Sequence, residues 1–302
     1  MIYVITYDYS LTRFLFTGLD GVEAILIPLK HCSFLKRCIK YMLLKMGVPI
    51  GYFGMSKDQV TKIKKMKSED SLFYLGESPK VCYELSKICK KKVRKICFFW
   101  NSCITIKNCE KKIKKIRRCD FSIATFDSKD AQKYNLIFID QFYRSSDQDN
   151  GYSICQTDYD FFFCGRDKGR KDVLLGMQKL LSSLGQCKFI IPETNDAVPY
   201  LNYLEYLKKS KVLCDVTQKN QSGLTLRILE SIFFSKKIIT NNENVKEYDF
   251  YNPNNILIYR SRTSIDDVKL FLEKPYDPVS DEIRSRYEVV NVLKKLFNGM
   301  VE

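Results

Sequence analysis

Short apolar runs alternate along the chain with segments whose apolar residues recur at helical spacing. Such runs predict strands buried on both faces, which need nearly continuous apolar side chains. In the first half the predicted strands are Tyr3–Thr6, Ala24–Pro28, Leu72–Leu75, Ile96–Trp100, Phe121–Ala124 and Ile137–Asp140. In the second half they are Tyr159–Cys164, Lys188–Ile191, Val212–Val216, Lys237–Thr240 and Ile256–Tyr259. This repeated β-α order predicts an α/β fold with parallel sheets.

The chain length and one polar segment predict two domains. A chain of 302 residues lies where a single hydrophobic core stops growing, at about 250–300 residues. The segment Tyr143–Thr157 is rich in Ser, Asp, Gln, Asn and Gly, so it marks the boundary. We therefore predict an N-terminal domain over residues 1–148, a C-terminal domain over residues 149–280, and a last helical segment over residues 281–302.

The segment 221–230, Gln-Ser-Gly-Leu-Thr-Leu-Arg-Ile-Leu-Glu, is the most informative part of the chain. It predicts a loop that ends in Ser222-Gly223 and a helix over Ser222–Phe234. The start of a helix presents unpaired N–H groups and the positive end of its dipole, so it is a site for anions. Ser222 and Thr225 add hydroxyl donors there, and Gly223 lets a phosphate approach closely. Arg227 and Glu230 follow on neighbouring turns of the helix.

This arrangement resembles the donor site of GT-B glycosyltransferases, whose second Rossmann-like domain holds a sugar nucleotide at a loop–helix junction. In family 4 of these enzymes two acidic residues lie eight positions apart, followed by a strand that reads like Lys-Lys-Ile-Ile-Thr at 236–240. Glu230 occupies the second acidic position, but Ser222 stands at the first, and this departure puts the retaining mechanism of that family in doubt. The sequence Ser-Gly-Leu-Thr-x-Arg-x-x-Glu is similar to one in bacterial glycosyltransferases of surface polysaccharide and lipopolysaccharide biosynthesis.

The resemblance extends from about Val93 to Tyr259 and implies a fold and a set of donor-binding residues. The implied fold is two Rossmann-like domains that face a cleft, with the C-terminal helix crossing back to the N-terminal acceptor-binding domain. Gly165, with Lys168 and Arg170 after it, corresponds to the first turn of the donor domain. Tyr203 lies where this fold often meets the nucleotide base, although tyrosines at helical spacing also fit a core. The implied donor-binding residues are Gly165, Lys168, Arg170, Tyr203, Ser222, Gly223, Leu224, Thr225, Arg227 and Glu230.

A catalytic base is harder to assign from the sequence. An inverting transfer needs a carboxylate or an imidazole within hydrogen-bond reach of the acceptor hydroxyl. Asp8, Asp20 and His31 are candidates because they follow early strands of the predicted acceptor domain, and of these Asp20 and His31 are the predicted catalytic residues. A retaining transfer would need no such base, and cations at the donor site would stabilise the departing diphosphate. We predict no metal ion or other cofactor, although Asp-x-Asp triplets occur at 147–149 and 158–160.

Charge and cysteine usage bear on location and partners. Residues 1–150 hold 28 Lys and Arg against 15 Asp and Glu, so most of the net charge of +15 lies in this half. The basic clusters are either solvated helix faces or a surface that is attracted to anionic lipid. Nucleic acid is not predicted as a partner, since no recognised binding motif accompanies them. The twelve cysteines are scattered without a Cys-x-x-Cys pair, which indicates reduced thiols in a cytoplasmic protein.

One basic segment also has the pattern of an amphipathic helix. Between Cys32 and Met46 the apolar residues recur at three and four positions and alternate with Lys and Arg. The apolar stripe either packs in a core or lies in a membrane interface. The chain has no apolar run of about 18 residues that would span a membrane and begins without a signal-like leader. We therefore predict a cytoplasmic protein, and the second interpretation of the apolar stripe would place it peripherally on the inner face of the cytoplasmic membrane.

The predicted function is transfer of a sugar from a nucleotide-sugar donor to a surface glycan or a lipid-linked acceptor. A catalytically degenerate glycosyltransferase-like binding protein is the alternative, and the missing acidic residue at Ser222 suits it. A nicotinamide or flavin enzyme is disfavoured because no Gly-x-Gly-x-x-Gly follows any predicted strand.

Overall fold

The computed structural model describes residues 1–29, 34–46, 54–89, 92–145, 157–192, 198–219 and 221–299. The chain folds into two compact units, of which the first comprises Met1–Ile139 together with Val289–Glu302 and the second comprises Asp140–Glu288. Within the described ranges, no helix combines the length and the apolar character needed to cross a membrane. The cysteines described there are free thiols.

The first unit contains a parallel sheet of six strands. They are β1 (Ile2–Tyr7), β2 (Val22–Ile27), β3 (Ser71–Leu75), β4 (Arg94–Phe99), β5 (Ser122–Thr125) and β6 (Ile137–Phe138). The strand order is β2-β1-β3-β4-β5-β6, and each neighbouring pair is parallel. Strand β3 is buried along its whole length and β4 along all but its first residue, as expected for central parallel strands.

Helices connect these strands. They are α1 (Ser10–Phe16), α2 (Phe34–Lys45), α3 (Lys57–Lys64), α4 (Pro79–Ile88), α5 (Cys109–Arg117) and α6 (Ser128–Tyr134). Two of them begin at side-chain caps: Ser56 and Gln59 form a capping box at α3, and Asp127 accepts from the first amides of α6. A helix near the end of the chain, α12 (Val289–Asn298), belongs to the same unit, where the Arg94 guanidinium donates to the carbonyl of Phe297.

The second unit contains a parallel sheet of five strands. They are β7 (Tyr159–Cys164), β8 (Cys187–Ile190), β9 (Ser210–Asp215), β10 (Lys237–Thr240) and β11 (Ile256–Ile258). The order is β11-β10-β9-β7-β8. Its helices are α7 (Lys171–Leu181), α8 (Tyr200–Lys208), α9 (Leu226–Phe233), α10 (Ile265–Glu273) and α11 (Asp281–Arg286). One core cluster joins apolar side chains of α7 and α10 to those of β7 and β9.

The predicted strands are all present. Tyr159–Cys164 and Lys237–Thr240 have the predicted bounds, and the ends of the others differ by at most two residues. Two helix predictions were wrong in extent. The last helical segment, predicted over residues 281–302, is divided into α11 and α12, because the carbonyl of Tyr287 accepts from the amide of Tyr143 and Glu288 forms a parallel bridge with Tyr143. The helix predicted from Ser222 begins only at Leu226.

Candidate functional site

The strand order of the second sheet reverses between β7 and β9. From β7 the chain steps to β8 at one edge, and from β9 it continues through β10 to β11 at the other. In open parallel sheets the loops at such a reversal separate, which leaves a crevice outside the carboxyl ends of the two strands. The loop after β7 and the loop between β9 and α9 meet at this crevice.

Gly165 ends β7 at the crevice, with an arginine on each side. A Cβ atom at this position would lie 3.0 Å from Nη2 of Arg170 and 3.2 Å from Nη1 of Arg227. Both guanidiniums also pack on the ring of Phe163, at 5.4 Å and 4.9 Å from its centroid. A side chain at Gly165 would therefore press on both guanidiniums and shift at least one of them by a few tenths of an ångström.

A tight turn joins Gly165 to α7 and carries Lys168. Lys168 and Gly169 have φ angles of 48° and 77°, in the left-handed region. The turn is closed by Asp167, whose carbonyl and carboxylate both accept from the amide of Arg170. No carboxylate in the described part of the chain forms an ion pair with Lys168.

Two cations of this crevice, Arg170 and Lys168, have lowered pKa values, whereas the pKa of Arg227 is raised because the desolvation of its guanidinium is outweighed by Asp215 together with its other acidic neighbours. Desolvation, followed by the charge of Arg227, lowers the pKa of Arg170 to about 10. Desolvation and the neighbouring arginines also lower the pKa of Lys168. The Arg170 guanidinium donates to the carbonyls of Val216 and Arg166 rather than to a carboxylate. The crevice thus has an excess of positive charge, which favours an anion there.

Asp215, the last residue of β9, holds the opposite side of the crevice together. Its Oδ1 accepts from Thr225 Oγ1 at 2.8 Å and from Arg227 Nε at 3.0 Å. Its Oδ2 accepts from Thr240 Oγ1 at 2.9 Å. The carboxylate is fully buried, so these bonds are what makes its charge tolerable there. Asp215 therefore joins the ends of β9 and β10 to the start of α9.

The loop before α9 is fixed by two asparagines that follow β10. Asn242 Nδ2 donates to the carbonyl of Gly223 at 3.3 Å, and Asn244 Nδ2 donates to the carbonyl of Ser222 at 3.1 Å. These bonds hold the loop in a non-helical conformation, which explains why the helix begins at Leu226. The hydroxyl of Thr225 donates to Asp215 instead of pointing outward.

Arg227 lies in the first turn of α9, and its guanidinium has N–H donors beyond those used by its protein contacts. Its Nε bonds to Asp215, and its Nη1 donates to the carbonyl of Cys164 at 3.0 Å. No described residue accepts a hydrogen bond from its Nη2. The amide of Ile228 donates to the carbonyl of Thr225, but the amides of Leu226 and Arg227 have no partner within the helix. The guanidinium and the helix start therefore both offer donors to an anion.

Glu230 lies one turn further along α9 and is bound by tyrosines. Its Oε1 accepts from the Tyr200 hydroxyl at 2.8 Å, and its Oε2 accepts from the Tyr203 hydroxyl. Tyr143 lies behind them, with its hydroxyl 2.6 Å from that of Tyr200. Glu230 is 1% exposed, and this burial raises its pKa to about 7 although the tyrosines and Arg227 oppose the shift.

The structure brings most of the predicted donor residues to one crevice. Gly165, Lys168, Arg170 and Arg227 surround the end of β7, while Ser222, Gly223, Leu224 and Thr225 form the loop before α9. Glu230 and Tyr203 contact each other rather than open space, so direct contact between Glu230 and a ribose would require its tyrosine bonds to break. Their donor-binding role stays a prediction.

The predicted catalytic residues lie apart from these groups in the chain. Asp20 is exposed in the turn before β2, next to Gly21, whose carbonyl accepts from the amide of Ile2 at the start of β1. It therefore lies at the amino-terminal edge of its sheet, whereas crevices form at the carboxyl edge. The geometry gives a catalytic role of Asp20 no support. His31 lies outside the described residues.

Sequence reasoning missed Asp215, Asn242 and the bonds of Glu230 to Tyr200 and Tyr203, although it had named Tyr203 as a contact of the nucleotide base. Asp215 had a recognisable signal, since a carboxylate inside the apolar run Val-Leu-Cys-Asp-Val at 212–216 must find partners when the strand is buried. The other contacts join residues that are distant along the chain, and no local pattern indicates them.

The comparisons with known proteins concern the fold. No protein-family model and no curated protein matches the chain. It is similar to the crystal structure of HepE from Anabaena in complex with UDP and glucose, with a TM-score of 0.51, 9% identity and coverage of 99% of each chain. For HepE in complex with UDP-glucose the TM-score is 0.50 and the identity 10%, again over 99% of each chain.

A third similar structure is that of TarM, with a TM-score of 0.49 and 12% identity. The comparison covers 80% of this chain, which spans 57% of the length of TarM. Together with the two parallel sheets and their helices, the likeness to HepE confirms the predicted α/β fold of two Rossmann-like units, the GT-B class.

We expect Asp215→Asn to destabilise the protein strongly. Without the carboxylate, the largely buried Arg227 loses its ion pair, and such losses cost about 3–5 kcal/mol. Denaturant unfolding followed by circular dichroism measures the change. Asp266→Asn is the matched control, because its carboxylate is 84% exposed and pairs with Lys269 only at the surface. Equal stability of the two variants would show that Asp215 does not anchor the crevice.

We expect the stability of the protein to depend on pH through Glu230. Its pKa is raised from 4.5 to about 7, so the folded state keeps a proton that the unfolded chain releases between these values. Stability therefore falls as pH rises from about 4.5 to 7 and stays lowered above, by on the order of 3 kcal/mol relative to low pH.

Glu230→Gln removes this titration while preserving the shape of the side chain. As pH rises from about 4.5 to 7, the unfolding free energy of the wild type should therefore fall relative to that of Glu230→Gln. Other titrating groups cancel in the difference. Parallel curves for the two proteins from pH 4 to 8 would contradict the assigned environment of Glu230.

Proposed function

We propose that the protein is a glycosyltransferase that takes its sugar from a nucleotide-sugar donor. The observation that carries the proposal is the uncompensated positive charge where β7 and β9 end. Arg170 and Arg227 bracket Gly165 there, with Lys168 on the adjoining turn. A diphosphate is the part of such a donor that this chemistry recognises, through charge-assisted hydrogen bonds.

The fold supports the same assignment. HepE, whose fold this chain shares, was solved in complexes with UDP and glucose and with UDP-glucose. The crevice of this chain lies where the strand order reverses, which is the usual ligand position in open parallel sheets. We therefore place the donor diphosphate against Arg227, Lys168 and the start of α9, with Gly165 allowing close approach of the main chain.

The chemistry we propose for these residues is electrostatic. When the bond between sugar and diphosphate breaks, negative charge grows on the departing diphosphate. Fixed cations that are already in place lower the energy of that state without reorganisation. We propose that Lys168 and the arginines supply this charge and that no metal ion takes part. Asp215 and Glu230 act behind them, by holding Arg227 and α9 in position.

The finer parts of the proposal concern acceptor and location. We propose a surface glycan or a lipid-linked glycan as acceptor, in polysaccharide or lipopolysaccharide biosynthesis, and a place of action on the inner face of the cytoplasmic membrane. Helix α2 supports this location, because Ile39, Met42 and Met46 are 45%, 59% and 76% exposed. The sequence places Lys36, Arg37, Lys40 and Lys45 in the same segment. Exposed apolar groups in a segment of basic sequence suit an anionic lipid surface.

A catalytically degenerate binding protein is the second candidate. It is favoured by Ser222, which stands where family 4 glycosyltransferases carry an acidic residue and is 3% exposed. Such a protein would fold in the same way without turning over a donor. Release of free UDP from a UDP-sugar in the presence of a glycan acceptor separates the two candidates, because only an enzyme releases it.

We expect calorimetric titration to detect saturable binding of a sugar nucleotide, with UDP-glucose as the first probe and EDTA present. Lys168→Ala should weaken the affinity about tenfold, because one charge-assisted contact to the diphosphate contributes roughly 1.5–3 kcal/mol. Lys179→Ala is the matched control, since it removes an exposed lysine at the far end of α7.

If neither a panel of nucleotide sugars nor the free nucleotides give saturable heat, the donor site is wrong. If Lys179→Ala weakens binding as much as Lys168→Ala does, the loss of affinity comes from the lower net charge of the protein and not from a lost contact between Lys168 and the diphosphate. Binding that disappears with EDTA would contradict the metal-free proposal.

We expect the protein to float with liposomes that contain phosphatidylglycerol, and flotation to fall with rising salt as charge is screened. Met42→Glu should reduce flotation, because it places a carboxylate on the exposed face of α2. Leu201→Glu is the control, since Leu201 is 67% exposed on α8 of the second unit. Equal flotation of both variants, or none for wild type, would contradict the proposed membrane contact.

A further inference from the structure

A groove of about 480 Å³ lies beside β11, at the edge of the second sheet. It is lined by the three residues of β11, by the outward side of α10 and by the loops on either side of β11. None of these residues belongs to the donor crevice, which lies between β7 and β9. The groove therefore offers a second surface, separate from the one used by the proposed donor.

The open side of β11 presents main-chain groups. The amide of Ile238 donates to the carbonyl of Asn255, and the amide of Tyr259 donates to the carbonyl of Thr240. In a strand, the main-chain groups of successive residues point alternately to its two sides. Ile239 pairs with Leu257 in parallel register, so the N–H and C=O of Leu257 point toward β10. The outward residues are then Ile256 and Ile258. The amide of Ile256 already donates to the carbonyl of Asn252, so the groups left for a partner are the N–H of Ile258 and the carbonyls of Ile256 and Ile258. An extended chain placed there could bond to them as a further strand.

The groove carries positive charge on an apolar base. Lys246, Arg260, Arg262 and Lys274 line it. Glu243 pairs with Arg260 and also attracts Lys246 and Arg262 from a greater distance, but within the described ranges Lys246, Arg262 and Lys274 form no direct ion pair with a carboxylate. The acidic residue of its lining, Asp267, is engaged by the amide and hydroxyl of Ser264. Apolar contact area is available as well, since Leu270 is 61% exposed in the lining.

These features select the chemistry of the occupant. Three cations that form no ion pair in the described ranges favour an acidic ligand. The outward main-chain groups favour an extended peptide over a glycan, because a glycan has no amide repeat that matches them. A second copy of this chain is disfavoured, because pairing β11 with β11 would bring the same cations together. Positive charge near an edge strand also prevents aggregation, but β11 itself carries no charge and the cations come from flanking segments.

We propose that this groove binds an acidic, extended peptide segment, which adds as a strand alongside β11 while its carboxylates meet Lys246, Arg262 and Lys274. The partner is thus a protein with an exposed segment that alternates acidic and apolar residues. Alternation matters because successive side chains of a strand point to opposite sides.

A labelled octapeptide of alternating glutamate and valine is the probe, with fluorescence anisotropy as the readout. We expect saturable binding at low salt, weakened about tenfold or more in the double variant Lys246→Glu and Arg262→Glu, because two attractions become repulsions. Lys269→Glu is the matched control, since this lysine lies on α10 outside the groove lining, and its binding should stay within about twofold of wild type. Thermal melts of all variants establish that the exposed substitutions leave the fold intact.

A second peptide, with prolines in place of the valines, tests strand addition. It keeps every carboxylate but loses main-chain donors, so it should bind much more weakly than the first peptide. Equal binding of the proline peptide, or equally tight binding of an acidic polysaccharide such as polygalacturonate, overturns the proposal. So does an equal loss in Lys269→Glu, or the absence of binding by wild type. Loss of donor binding in Lys168→Ala leaves this test unaffected, because the two surfaces share no residue.

Discussion

The buried carboxylate of Asp215 is the constraint on which the second unit depends. A charge at the end of a fully buried strand is unfavourable unless partners surround it, and here three partners come from three different positions in the chain. The same contact therefore ends β9, fixes β10 beside it and sets where α9 begins. Removing the charge would release all of these segments together.

The position of Arg227 follows from this constraint and gives the crevice its chemistry. Asp215 occupies only the Nε side of the guanidinium, so the other side remains directed toward Gly165 and the end of β7. Arg170 approaches the same glycine while bonding to main-chain carbonyls. Asp215 pairs with Arg227 and Asp167 lies in the turn before Arg170, but Lys168 and Arg170 form no ion pair in the described part of the chain, so the crevice is electropositive even though the second half of the chain is nearly neutral. A structure that keeps such an imbalance fixed is suited to a polyanionic ligand.

Helix α9 connects the crevice to a polar network in the interior. Glu230 is held by Tyr200 and Tyr203, with Tyr143 behind them. These bonds order α8 against α9, and the ring of Tyr200 stacks on that of Tyr203 at 5.5 Å. A carboxylate whose pKa is near 7 also makes this interior sensitive to pH, since its ionised form is the less favoured one. The acidic residue and the tyrosines thus serve the orientation of the helix that carries Arg227.

The sequence by itself determined the class of the fold and the segments that form the crevice. Apolar runs such as Tyr159–Cys164 and Lys237–Thr240 predicted strands because burial on both faces leaves a local signal, and the Ser-Gly before α9 together with Gly165 and its basic neighbours indicated an anion site. Only the tertiary structure decided the partners. Asp215 meets Arg227 and Glu230 meets Tyr203 across distant parts of the chain, and the break at Tyr287 depends on a contact with Tyr143. Local patterns carry the preference of a segment for helix or strand, whereas hydrogen bonds between distant residues exist only once the sheet has brought its strands together.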